Sequence, residues 1–131
     1  MIFSADFFYL QRRVQIMEKI YSSTMDILRD TLRNTDLNLT HKLSIDYYYD
    51  INIPVVKIIS FETLSMYTII EMYNIIKDWA EKHCNDLINE FYKDADEECL
   101  IEIDIYRVNS LSEMPLNMKI LSTIIDLNNY R

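Results

Sequence analysis

Residues 60–93 read SFETLSMYTIIEMYNIIKDWAEKHCNDLINEFYK. Met66, Ile69, Ile70, Tyr73, Ile76, Ala80, His83, Leu87 and Phe91 recur at steps of three and four, the spacing of one buried helical face. In the first half a second stripe of Leu64, Met72, Ile75 and Trp79 runs beside it, and a helix apolar most of the way round is expected to be buried most of the way round. In the second half Asp78, Glu81, Lys82, Asn85, Asp86, Asn89 and Glu90 leave a single apolar face. Ser60 stands where an N-cap belongs, Glu62 complements the helix dipole in the first turn, and no Pro or Gly interrupts the run. The stretch therefore predicts one long helix over 60–93, central at its start and facing solvent at its end.

The flanking segments have a different period. Over 39–53, Leu39, Leu43, Ile45, Tyr47, Tyr49, Ile51 and Ile53 alternate with Thr40, Lys42, Ser44, Asp46, Tyr48, Asp50 and Asn52, the pattern of a strand with one buried and one wet face. Fifteen residues are long for one strand, so a bend is expected near 50–52. Pro54, with no N–H to give, is expected to end the pairing, and 55–59 to fold back as a second strand. Cys99, Ile101, Ile103 and Ile105 alternate with Glu102 and Asp104 as a third strand, and the Ile and Thr content of 117–127 favours a fourth over a helix.

At the N-terminal side, Phe7, Leu10, Val14, Met17, Tyr21, Thr24 and Leu28 form a heptad seam in a helix expected over 4–33 and capped by Ser4. Ile16, Ile20 and Ile27 widen the seam, which favours packing on the rest of the chain over a free coiled coil. The expected fold is α+β, an antiparallel sheet of three or four strands packed against two long helices in the order α-β-β-α-β-β, as a single domain over 1–131.

Composition narrows the chemistry. Half of the 131 residues are apolar, about a quarter are charged, and glycine is absent. Without glycine there is no phosphate-binding P-loop, no dinucleotide fingerprint and no nucleophile elbow. No basic, apolar leader opens the chain and no apolar run reaches the ~18 residues of a membrane span, so a cytoplasmic protein is expected. Cys84 and Cys99 read as reduced thiols, and with His83 they match no zinc spacing. Asp94, Asp96 and Glu98 alternate as a calcium loop begins, but Cys99 and Ile105 occupy the positions where that loop needs Gly and Glu. Glu102 and Asp104 leave one strand on the same side, as the carboxylates of magnesium nucleases do, without a lysine nearby in the sequence. Neither His41 nor His83 can be paired with a nucleophile, and the chain is read as non-enzymatic, with no cofactor and no metal.

Charge is the quantitative anomaly. The net charge is −8, and residues 78–104 alone carry ten acidic and two basic side chains. Such a patch steers a basic partner into place, while it repels the phosphates of nucleic acid. Tyr48, between Asp46 and Asp50 on the wet strand face, has the make-up of an arginine clamp. The expected partner-binding residues are thus Asp94, Asp96, Glu97, Glu98, Glu102 and Asp104 together with Asp46, Tyr48 and Asp50. The expected function is that of a small acidic inhibitor occluding a basic surface, such as a nucleic-acid-binding one, on a partner protein. Small, acidic, glycine-poor inhibitors from phages and viruses, anti-CRISPR proteins among them, share this general type. The alternatives are a toxin-immunity-type binding protein, or a structural subunit that forms a homodimer through the 4–33 helix.

Overall fold

The computed structural model describes residues 18–35, 43–50, 53–92, 98–108 and 119–131. The fold is α+β, with a five-stranded mixed sheet and three helices. In chain order the elements are β1 (Glu18–Lys19), α1 (Ser23–Arg33), β2 (Leu43–Asp50), β3 (Ile53–Ser60), α2 (Met66–Lys82), α3 (Cys84–Phe91), β4 (Leu100–Arg107) and β5 (Lys119–Asp126), followed by a 3-10 turn at Leu127–Tyr130. The strands lie side by side in that order. All neighbours are antiparallel except β3 and β4, which run parallel. The all-antiparallel expectation fails at this one joint. Parallel neighbours need a long crossover, and α2 and α3 supply it by carrying the chain back to the end of the sheet where β3 began.

The 60–93 stretch does not form one helix. Ser60 is the last residue of β3, and its Oγ closes a tight turn, donating to the Glu62 carbonyl (2.7 Å) and accepting from the Glu62 N–H (3.2 Å). The N-cap is Ser65, whose Oγ accepts from the Thr68 N–H at 3.1 Å. The helix then breaks at His83 (φ −111°, ψ 17°), which ends α2 and starts α3. A straight 34-residue helix would measure about 50 Å, whereas an eight-residue strand covers only about 26 Å, the length of a 17-residue helix. The break keeps Cys84, Leu87 and Ile88 over the sheet in a second, short helix.

The expected 4–33 helix does not run through residues 18–22. Glu18–Lys19 is a strand opposite Tyr49 and Tyr48, and the Ile20 N–H donates to the Tyr47 carbonyl at 2.8 Å. Ser22 caps α1 by accepting from the Met25 N–H. Tyr21, placed on the heptad seam, is 88% exposed, while Thr24 and Leu28 are buried. The rest of that seam, Phe7, Leu10, Val14 and Met17, lies outside the described residues, as does His41. Pro54 is the other correction: it sits inside β3, opposite Tyr49. Pairing with β4 begins one residue later, at Val55, so Pro54 is flanked by β2 alone and its missing N–H breaks no bond to β4.

The core lies between the inner face of the sheet and the helix layer. Ile45, Tyr47, Val56, Ile58, Ile101, Ile103, Ile105 and Ile125 meet Met25, Leu28 and Leu32 of α1, Met72, Ile76 and Trp79 of α2, and Leu87 and Ile88 of α3. Full burial of each such aliphatic side chain stabilises the fold by roughly 1.5–3 kcal/mol. Polar groups within this layer are satisfied: the Tyr47 hydroxyl donates to the Met25 carbonyl, and Trp79 Nε1–H donates to the Thr24 carbonyl at 2.9 Å. Both thiols are buried and unbridged, with the Cys84 Sγ–H directed at the Tyr130 carbonyl. No helix among the described residues is long and apolar enough to cross a membrane.

Candidate interaction surface

The strand register gathers the sequence-predicted residues of the sheet onto the face away from the helices. Asp46 stands opposite Lys57, Lys57 opposite Asp104, and Asp104 opposite Ser122, with Tyr48, Glu102 and Tyr106 in the adjoining rows of the same face. Asp50 ends β2 on this side. Asp94, Asp96 and Glu97 lie outside the described residues, and Glu98 is an exposed residue just before β4.

These sheet acids are engaged within the protein. Asp104 is only 2% exposed; it accepts from the Ser122 hydroxyl at 2.7 Å and lies 3.4 Å from Lys119 Nζ. Asp46 pairs with Lys19 at 3.1 Å. Lys57 Nζ sits 5.2 Å above the Tyr48 ring and 5.9 Å from that of Tyr106, so the place over Tyr48 expected for a partner's arginine is filled by a lysine of the chain itself. Burial lowers the Lys57 pKa. Burial raises the Glu102 carboxyl, and the adjacent Asp104 carboxylate pushes it the same way. Burial pulls Lys119 down, but Asp104, Tyr106 and Glu102 together outweigh it and leave the ammonium raised. The lysines missing from the sequence neighbourhood of Glu102 and Asp104 thus arrive from two other strands. Lys119 closes Asp104 into an ion pair, Lys57 stands opposite it in the register, and Asp104 is not left open to solvent.

The helix layer carries the exposed negative charge. The acidic excess of 78–104 is continuous in sequence but divided in space. Glu102 and Asp104 face one way, while Asp78, Glu81, Asp86 and Glu90 are exposed on α2 and α3, on the opposite side of the molecule. Glu90 also holds α3 to α1, accepting from Ser22 (2.7 Å) and Thr24 (3.1 Å). Asp86 approaches Nδ1 of His83 at 3.9 Å; that histidine is largely buried at the helix junction, as its place on the apolar stripe implied. Between α1 and the α2–α3 pair runs a groove. One hollow of ≈ 490 Å³ is lined by Ile27, His83, Asp86 and Glu90, and one of ≈ 260 Å³ by Ile27, Ile75, Asp78 and Trp79.

The first half of α2 overturns the expectation that it is central. Its buried side chains begin only at Met72 and continue through Ile76, Trp79 and Ala80. Met66, Tyr67 and Ile70 are 71%, 70% and 50% exposed. Residues three and four apart share a helix face, so these three form one apolar patch. Sequence reasoning missed this patch although its signal was present: two apolar stripes on one helix mean either two buried faces or one buried face and one left for a partner. The outer surface of α2 and α3 therefore passes from apolar at Met66, Tyr67 and Ile70 to a charged stretch where Asp78, Glu81 and Asp86 are exposed together with Lys77 and Lys82. Among the described residues no cluster of three or more His, Cys, Asp or Glu side chains is arranged to hold a metal. Compared with protein-family models, with curated proteins and with solved structures, the chain matches none.

Proposed function

We propose that this is a non-enzymatic binding protein that occludes a basic surface of a partner protein, and that it docks through the outer face of α2 and α3. The carrying observation is the exposed Met66–Tyr67–Ile70 patch on the same helix as exposed Asp78 and Glu81, which alternate there with Lys77 and Lys82. Apolar side chains scattered singly over a surface are ordinary, whereas several large ones gathered on one helix face commonly mark a binding site. Tyrosine is enriched among the few residues that dominate binding energy, and the neighbouring carboxylates supply steering and orientation. The partner this fits has an apolar pocket bordered by Arg and Lys, which is the make-up of many nucleic-acid-binding surfaces. Small size, a net charge of −8 and the absence of glycine agree with the anti-defence type of inhibitor from phages and viruses. The ion pairs of Asp104 and Asp46 on the sheet face favour a structural role for that face over a docking one.

The test is capture of partners with wild-type protein and two variants, followed by binding kinetics on whatever is captured. Tyr67→Ala/Ile70→Ala should weaken binding by about thirtyfold or more, as loss of a hot spot does. Asp78→Asn/Glu81→Gln/Asp86→Asn should slow association and flatten its dependence on ionic strength while changing dissociation little. A captured partner that binds both variants like the wild type refutes this docking face.

A further inference from the structure

The two edges of the sheet are built differently. β1 is two residues long, and both Glu18 and Lys19 are charged and exposed. β5 has eight residues, and between its terminal Lys119 and Asp126 it reads ILSTII, with no charge, Pro or Gly. Among the described residues no strand pairs with its outer side. Exposed edges are ordinarily blunted by brevity, charge, Pro or a bulge, because unpaired N–H and C=O groups are a template for another strand. Here the only irregularity is a bulge at Ile120, which stands between the pairs Ile105–Leu121 and Tyr106–Lys119, and Leu121–Asp126 run in unbroken register with β4. Ser122 and Ile124 lie on the outer face opposite Asp104 and Glu102, and Ile120 at the bulge and Ile124 are 43% and 54% exposed.

We propose that β5 pairs antiparallel with β5 of a second copy of this chain about a two-fold axis at Ser122, joining the two sheets into one. A two-fold axis normal to the sheet keeps outer face beside outer face. Centred on Ser122, it sets Ile120 opposite the partner's Ile124, and by symmetry does so twice. Four exposed isoleucines then form two cross-strand apolar pairs, the unit from which sheets draw their side-chain stabilisation. The backbone groups along the edge gain partners at the same time. Charge selects the direction: antiparallel pairing brings the Lys119 end of one strand to the Asp126 end of the other, whereas parallel pairing would bring like ends together. Among the described residues the β1 edge, Glu18–Lys19, is short and charged and offers none of this, so assembly stops at a closed dimer.

Sedimentation velocity and light scattering of the full chain, from micromolar to about 1 mM, test the proposal. Wild-type protein should show a concentration-dependent dimer. Ile120→Lys/Ile124→Lys should raise the dimer dissociation constant by about tenfold or more, since each pair becomes lysine against lysine. Ile120→Lys/Ile124→Glu should restore the dimer, because position 120 then faces an opposite charge at the partner's position 124. Circular dichroism melting checks that each variant is folded. Ser122→Cys, at the axis, should give a disulfide-linked dimer on mild oxidation, independently of the charge variants. A wild-type monomer at every concentration overturns self-pairing and leaves the edge to a strand from another protein. A dimer that tolerates the lysine pair, or that the Lys/Glu variant does not recover, overturns the β5 register.

Discussion

Lys119→Met is the substitution that most sharply separates a structural sheet face from a docking one. It leaves the Asp104 carboxylate, 98% buried, without the ammonium 3.4 Å away. Removing one partner of a fully buried ion pair costs about 3–5 kcal/mol. Three features lower that here. The Lys119 side chain is itself 30% exposed, so part of its charge is screened by water, and Ser122 still donates to Asp104 at 2.7 Å. Lys57, directly opposite Asp104 in the register, also remains. A cost of about 2–3 kcal/mol follows. For a chain of this size a urea dependence near 1.5 kcal/mol per molar converts it to a loss of about 1.3–2 M in the unfolding midpoint. The double variant Asp104→Leu/Lys119→Met removes both charges together and should recover most of the loss, because a buried ion pair and an apolar pair of similar volume are close in stability. Urea titrations of the four proteins of this cycle, followed by circular dichroism at matched concentration because self-association would add stability by mass action, measure the coupling directly. A loss below about 0.5 kcal/mol, the level of an ordinary surface change, would refute the reasoning: Asp104 would then be hydrated in solution, and the sheet acids would return as docking candidates.

Trp79→Phe removes the indole donor to the Thr24 carbonyl and should cost about 1–2 kcal/mol, read as a lower urea midpoint together with faster amide exchange in α1; unchanged α1 exchange would contradict the tie. Burial, aided by Asp104, raises the Glu102 carboxyl, so between its ordinary and raised pKa the folded chain holds a proton that the unfolded chain has released, and stability falls as pH rises through that window. Glu102→Gln should therefore melt higher than wild type at neutral pH, with the difference vanishing below the ordinary glutamate pKa of about 4.3; a gain of equal size in acid would rule out titration of Glu102 as its source.

Local periodicity and capping chemistry, which sequence carries directly, determined much of this protein. The alternation through Ile45, Tyr47 and Tyr49, and again through Ile101, Ile103 and Ile105, defined β2 and β4 and assigned their faces, because a period of two allows only one inward set. It also put Asp46, Tyr48, Glu102 and Asp104 on a common outer side, and the β-branched content of 117–127 marked β5. Tertiary structure decided what periodicity does not encode. Whether β3 and β4 run parallel depends on where a crossover of two helices delivers the chain. The break at His83 follows from matching helix length to the span of the sheet, a constraint invisible to a stripe that continues smoothly from Ile76 to Phe91. β1 hides within a heptad pattern because the edge of β2, distant in sequence, supplies its hydrogen bonds. The fate of the charges was equally non-local. Net charge in a window counts the acids, but Lys119 reaches Asp104 from a neighbouring strand and pairs with its charge, with Lys57 opposite on the other side. Asp78, Glu81 and Asp86, a few residues earlier in the same acidic run, remain exposed on the helix that carries the apolar patch, because the buried side of α2 draws on both stripes, Met72 and Trp79 from one and Ile76 and Ala80 from the other, and leaves Met66 and Ile70 outside.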